Sequence, residues 1–368
     1  MRTEIDRALA QLLTDPACDG LEFVKDLETR FARYLGEGAF AVGVQSGTAA
    51  EFLILKAYGM GPGDEVITVP NSDISTTSAI SRAGARFVMV DIDPTFFNID
   101  PERIEAAITP RTRMIMPVHM YGLPAEMDAI QSIADRYGLK VVEDATLALG
   151  AEYRGTRTGL LGDAAFFSLA PSKVLGGTSN GGIVVTTDPD LANRVRLLRG
   201  YGLEPEVADT PIHKRQSLAG YNHLAEGYNL KLDVMQAAVA GVKFTQVDDW
   251  GERRQAAADR YTERFAGVPA VETPVVPSHM RHAWRNYVVK VPSRDAVRER
   301  LRQSEIASGV LYIPPIHLQP VYSDLGLGPG SFPNAELVAK SLLCLPMHPG
   351  LSAEQIDTVT ENVKAALE

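Results

Sequence analysis

The sequence predicts an α/β protein: a mostly parallel sheet covered by helices on both faces, followed by a smaller C-terminal α+β domain. Three observations carry this expectation. Helical and strand patterns alternate through the first two thirds of the chain. The strand cores are continuous apolar runs rather than alternating ones, as expected of strands buried on both faces. The 368 residues exceed what a single hydrophobic core usually organises, and the pattern changes character after Asp233.

Leu21–Leu35 reads as an amphipathic helix, because Phe23, Leu27, Phe31 and Leu35 fall on one face. Ala41–Val44 is a short apolar strand, and Thr48–Tyr58 a helix stopped near Gly59. Glu65–Val69 is the next strand, followed by a loop and a helix running through Ala79–Ala83. Phe87–Val90 is a strand again. Met114–Val118 and Lys140–Val142 are strands flanking the helix Met127–Tyr137, and Ala165–Phe167 and Gly182–Thr186 complete the series. Val234–Phe265 reads as one long helix or two end to end. Pro269–Ser278 holds three prolines and is a connector. Tyr287–Val291 and Gly309–Tyr312 then read as strands, with helices over Arg294–Ser304 and Ala353–Leu367. The boundary falls near Asp248, dividing the chain into a large domain, 1–247, and a small one, 248–368.

Composition narrows the function. A net charge of −10 disfavours phosphate backbones, so nucleic acid is not an expected partner. No apolar run is long enough to span a bilayer, and the opening MRTEIDRALAQLL lacks the apolar core of a secretory signal. A cytoplasmic protein is expected. The two cysteines, Cys18 and Cys344, suit neither a disulfide framework nor a metal site. Among the seven histidines, His279 and His282 lack the spacing of a metal motif, and no metal is expected.

Chemistry is expected beyond the carboxyl ends of the strands, where open α/β sheets bind ligands. Three segments place suitable residues there. The first is Val44-Gln45-Ser46-Gly47-Thr48, a strand end running into a helix start. It reads either as an anion site made of small residues and free N–H groups or as a plain cap on Ser46 or Thr48. The second is Lys140-Val-Val-Glu143-Asp144. Successive strand residues face opposite ways, so one of the two carboxylates can face the site and hold a protonated ring nitrogen; the plainer reading is a turn-capping aspartate. The third is Phe166–Lys173, followed by the glycine pairs Gly176-Gly177 and Gly181-Gly182. Most lysines are solvated surface groups, but one held in a partly desolvated loop can lose its proton and act as a Schiff-base nucleophile.

Taken in order, these segments resemble the DegT-type sugar aminotransferases of the aspartate aminotransferase superfamily. The resemblance extends over nearly the whole chain. It includes Gly61-Pro-Gly-Asp-Glu-Val66, Asp91-Ile-Asp-Pro94 with Asn98-Ile-Asp100, Ile108-Thr-Pro-Arg-Thr112, Pro117-Val-His-Met-Tyr-Gly122, Glu143-Asp144-Ala145, Phe167–Lys173 and Leu345-Pro-Met-His-Pro349. It implies the fold type I architecture of pyridoxal-phosphate (PLP) enzymes and a two-step transfer of an amino group from an amino acid, L-glutamate or L-glutamine, to a keto-sugar. It further implies that Lys173 is the Schiff-base lysine and that Asp144 pairs with the pyridine nitrogen. Gly47, Thr48 and Ser168 match phosphate ligands. Asn229 matches an asparagine that reaches the phosphate across a homodimer interface. Tyr312 and His317 fall where C-terminal residues approach the sugar, with packing as the plainer reading.

The chain departs from the family pattern at four places. Thr146-Leu147 follow Asp144-Ala145 where Gln or His is usual. Pro70-Asn71-Ser72-Asp73-Ile74 lacks the aromatic residue that stacks on the ring, and reads as one residue shorter. Lys231 replaces an arginine, and Leu311 a histidine. Within the family a keto-cyclitol is an alternative acceptor to a nucleotide-linked sugar. A sugar dehydratase would carry histidine in place of Lys173, and a regulatory protein on the same fold would be expected to lose that lysine.

Overall fold

The computed structural model describes residues 1–15, 18–204, 207, 210 and 222–368. Its centre is a seven-stranded sheet in the order β1-β9-β8-β5-β4-β2-β3. These strands are β1 (Phe40–Val44), β2 (Glu65–Thr68), β3 (Arg86–Met89), β4 (Thr112–Ile115), β5 (Lys140–Asp144), β8 (Ala164–Ser168) and β9 (Gly182–Thr186). Only β9 runs antiparallel to its neighbours, β1 and β8; the other ladders are parallel. The sequence expectation of a mostly parallel sheet is met. The run Val141–Asp144 is buried throughout, as a strand covered on both faces requires.

Apolar clusters lie on both faces. One gathers Leu53, Ile67, Ile115 and Val142; the other gathers Leu27, Phe31, Phe167 and Ile183. The second is closed by α2 (Leu21–Leu35), whose buried face is Val24, Leu27, Phe31 and Leu35, with Phe23 only partly buried. A third cluster runs from Ala257 to Val363. It surrounds the two-stranded sheet of β11 (Tyr287–Lys290) and β12 (Leu342–Leu345).

Of the two readings of Val234–Phe265, two helices end to end is the one found, as Val234–Phe244 and Val247–Phe265. Other expectations are corrected. Gly309–Tyr312 is not a strand: Gly309 pairs with Cys344 as an isolated bridge, and Pro314 and Pro315, which have no N–H to donate, follow after Ile313. The strand paired with β11 is instead Leu342–Leu345, an apolar run not assigned from sequence. Helices over Arg2–Thr14 and Pro189–Arg199 were also not assigned, although Asp188 caps the latter through Asp190 and Leu191 N–H groups. Beside the main sheet, β6 (Glu152–Tyr153), β7 (Thr156–Arg157) and β10 (Met280–Arg281) form a small third sheet.

Candidate active site

The carboxyl ends of β1, β5 and β8 converge on a cavity of about 420 Å³ lined by Gly47, Thr48, Asp144, Ser168, Lys173 and Tyr312, among others. Six of the eight residues expected at the site are therefore together. At the end of β1, Ser46 is the cap of α3 (Gly47–Ala57), its hydroxyl accepting from Ala49 N–H at 3.0 Å. This leaves the Gly47 and Thr48 N–H groups without helical partners on residues that line the cavity, at a positive helix end. The capping and anion-site readings are thus compatible. The site is tight: a Cβ on Gly47 would lie 3.0 Å from the Ser168 Cβ, and one on Gly182 only 2.2 Å from the Ser46 carbonyl oxygen.

The two carboxylates at the end of β5 have separate jobs. Glu143 is fully buried and points away from the cavity. Its Oε2 bonds the His119 Nε2 and the Gly159 N–H, both at 2.8 Å. Its Oε1 accepts from Leu161 and Gly162 N–H groups at 2.7 and 2.9 Å. Because His119 Nδ1 accepts from Ala125 N–H at 3.0 Å, Nε2 carries the proton donated to Glu143. Asp144 faces the cavity. Its Oδ1 accepts the N–H and hydroxyl of Thr146 at 3.1 and 2.7 Å, while no described residue donates to Oδ2. Burial raises the Asp144 carboxyl, opposed by the Thr146 hydrogen bonds and by Lys173. Thr146, a departure noted in the sequence, is therefore what orients this carboxylate.

Lys173 sits in a loop built around a buried amide. Gln236 Oε1 accepts from the N–H groups of Thr178 and Ser179 at 2.9 and 3.1 Å. Its Nε2 donates to the carbonyls of Leu169 and Ser179 at 3.1 and 2.8 Å. Gly177 is required here, since a Cβ would lie 1.9 Å from Gln236 Nε2. Burial holds the Lys173 amine below its ordinary range; Asp144 opposes the shift and Arg285 adds to it. This is the condition for a neutral, nucleophilic lysine.

The other two expected residues lie elsewhere. Asn229 is exposed, bridged to Gly200 beside the end of β1, and does not line the cavity. His317 is buried under Phe332, its Nε2 bonded to Glu336 at 3.0 Å, and is likewise outside the cavity lining. Sequence reading missed Glu51, Asp73 and Arg285, all of which line the cavity. Glu51 Oε1 is buried without a partner, and burial, with Asp144 and Asp73 nearby, raises its carboxyl well above the ordinary range. Asp73 occupies the stretch where the stacking aromatic was missing, while its neighbour Ile74 is exposed.

A masked amine, a carboxylate with one free oxygen and an anion-ready helix start, gathered at parallel strand ends, equip an enzyme for carbonyl and amine chemistry. The profile of the DegT/DnrJ/EryC1/StrS aminotransferase family matches residues 1–364. Two curated relatives are a pleiotropic regulatory protein of Geobacillus stearothermophilus, 41% identical over 99% of this chain and 94% of the relative, and a dTDP-3-amino-3,4,6-trideoxy-α-D-glucose transaminase of Streptomyces venezuelae, 40% identical over 99% and 92%. The crystal structure of S. venezuelae DesV in complex with a ketimine intermediate superposes with a TM-score of 0.91 at 40% identity, covering 100% of this chain and 95% of that one. The chain belongs to the DegT/DnrJ/EryC1/StrS aminotransferase family, whose enzymes work with PLP. Its fold is that of the PLP-dependent transferases, and it is an aminotransferase.

Proposed function

We propose that this protein transfers an amino group from an amino acid, L-glutamate or L-glutamine, to the ketone of a nucleotide-linked sugar, using PLP held at Lys173. The observation that carries the reading is the placement of Lys173 and Asp144 in one cavity with the start of α3. The residues fit the cofactor. Gly47 and Thr48 N–H groups and the Ser168 hydroxyl suit its phosphate, and the free Oδ2 of Asp144 suits its ring N–H. Bound PLP supplies an aldehyde that takes up an amino group and a ring that draws off electrons when the adjacent C–H bond breaks. Lys173 would anchor the cofactor and, once displaced, take the proton from the donor carbon and later return one; burial, which lowers its amine, favours the unprotonated form that this needs. Asp144 keeps the ring nitrogen protonated. Tyr312 lines the cavity on the side of the C-terminal segments and is proposed to meet the sugar. For His317 we favour packing over the sugar contact that the resemblance implies, because of its bond to Glu336.

The proposal extends to assembly and setting. Asn229, exposed on its own chain, is proposed to complete a site of a partner copy in a homodimer. Division into a cofactor-binding unit, 1–247, and a small unit, 248–368, is supported by the apolar cluster running from Ala257 to Val363. A cytoplasmic setting is supported by the two free cysteines; among the described residues no helix is long and apolar enough to cross a membrane. The relatives' amino-sugar products support a role in amino-sugar and natural-product formation.

The test is spectroscopic. An amino donor should bleach the visible band of the PLP-loaded protein, and a nucleotide keto-sugar should restore it with release of an amino-sugar. Restoration by a keto-cyclitol alone would redirect the acceptor. Release of a deoxygenated sugar without consumption of donor would identify a dehydratase. For the dimer, mixing Lys173→Ala and Asn229→Ala proteins under proven subunit exchange should recover part of the lost activity; no recovery would place each site within one chain.

A further inference from the structure

The cavity, which Glu51, Asp73 and Asp144 also line, holds a half-buried cation that pairs with none of them. Arg285 lines it, its Nε is buried without a hydrogen-bond partner, and its guanidinium forms no ion pair with a described residue. Other arginines withdrawn from solvent have more partners: Arg199 bonds Glu28 at 2.6 Å, Arg294 the Leu342 carbonyl at 3.0 Å, and Arg254, whose Nε is likewise unpartnered, the carbonyls of Trp284 and Met347, both at 3.1 Å. Taking part of a cation out of water without a hydrogen-bond partner is costly. Burial accordingly pushes the Arg285 guanidinium down from its ordinary range.

The backbone that carries Arg285 is held in place. The flanking backbone is bonded on both sides to one loop, Ala283 N–H to the Gly122 carbonyl at 2.8 Å and Asn286 N–H to the Tyr121 carbonyl at 3.2 Å. Gly122 has a φ of 105°, and a Cβ there would lie 3.2 Å from the Arg285 nitrogen. The Tyr121 hydroxyl in turn donates to the carbonyl of Leu311, another cavity residue. An arginine fork on a fixed backbone matches a carboxylate by two parallel hydrogen bonds.

The position selects among anions. Arg285 and Lys173 line the same cavity, and the guanidinium charge works against protonation of the lysine. In an α-amino acid the carboxylate is bonded to the carbon whose proton the lysine handles. In a nucleotide-linked keto-sugar the phosphates hang from the anomeric carbon, away from the ketone. An anion site beside the lysine therefore suits the amino donor. We propose that Arg285 binds the carboxylate of the amino donor and so restricts donors to amino acids over simple amines. This rests on the transamination reading above.

The experiment uses the PLP-loaded protein and α-methyl-L-glutamate, which has the donor's amine and carboxylates but no α-proton, with affinity read by spectral titration. Arg285→Gln should weaken binding roughly 30-fold or more, as expected for loss of one partner of a buried charge pair. Arg285→Lys should fall between the two. Affinity for PLP and for a nucleoside diphosphate should stay within about twofold, and thermal melts check that both variants are folded. Guanidinium ion added to Arg285→Ala should restore part of the rate of the donor half-reaction, an effect that a merely structural arginine would not give. The inference is overturned if α-methyl-L-glutamate binds Arg285→Gln as it binds the unsubstituted protein. It is equally overturned if the variants lose PLP or nucleoside diphosphate instead. Failure of the unsubstituted protein to react with any amino acid would instead overturn the transamination reading itself.

Discussion

Replacing Asp144 with asparagine isolates charge from shape. Asparagine is nearly isosteric, and its amide oxygen can still accept the Thr146 N–H and hydroxyl that bond Oδ1 at 3.1 and 2.7 Å. What is lost is the negative charge on a carboxylate only 5% exposed. Breaking a buried ion pair costs about 3–5 kcal/mol. At about 1.4 kcal/mol per tenfold, proton removal from the donor carbon should slow by roughly a hundredfold or more if most of that cost falls on the barrier. Cofactor binding should largely survive, because the phosphate contacts proposed at Gly47, Thr48 and Ser168 are separate. Asp144→Ala should be at least as slow, and Asp144→Glu should fall between, with charge kept but distance wrong. Thr146→Val, which removes one hydrogen bond to the carboxylate, should cost about tenfold. The assay is the single-turnover rate of the donor half-reaction, with retained cofactor measured by absorbance after desalting. If Asp144→Asn kept its cofactor and reacted within about threefold of the unsubstituted protein, the charge argument would be wrong.

Three further outcomes follow from the geometry. Glu143→Ala should lower stability by at least about 3 kcal/mol, because it strands His119 and three loop N–H groups in the interior; an unchanged denaturant midpoint would contradict the role assigned to it. Gly182→Ala should reduce both thermal stability and cofactor affinity, since its Cβ would meet the Ser46 carbonyl at 2.2 Å; a variant with ordinary melting and binding would show that the junction of β1, β9 and α3 can relax. His282 is buried against Trp284, and burial lowers its imidazole from 6.5 to about 3. Its folded-state value lies below the unfolded one, so its contribution is fully present above pH 6.5. It should be lost at about 1.4 kcal/mol per pH unit as the pH falls toward 3. Urea titrations should therefore show a shallower loss between pH 6.5 and 4 for His282→Gln than for the unsubstituted protein, and equal slopes would refute this.

What the sequence made legible was what lies along one strand or one turn. Ser46-Gly47-Thr48, Asp144 and Lys173 each announce themselves by residue type at a strand end, and the cavity unites them. Strand alternation showed that only one of Glu143 and Asp144 need face the site, and the family resemblance chose Asp144; Glu143 proved a structural anchor rather than the idle neighbour that alternation alone suggests. Arg285, Glu51 and Gln236 were not legible. Each is an ordinary polar residue in sequence and acquires its role from partners far away in the chain, or from the lack of one. His317 shows the converse: the family resemblance implied a place near the sugar, with packing as the plainer reading, and its 3₁₀ turn, Ile316–Leu318, sets it against Glu336. The strand Leu342–Leu345 was missed because a four-residue apolar run before a proline carries no period, and only its pairing with β11 defines it.

The central claim is that Lys173 carries the cofactor. Reduction of the PLP-loaded protein with borohydride, followed by digestion and mass spectrometry, tests it directly. The purified, loaded protein should be yellow, reduction should abolish the visible band, and the pyridoxyl group should be recovered on the peptide containing Lys173. Recovery on a different lysine, or a loaded protein that reduction leaves unlabelled, would contradict it.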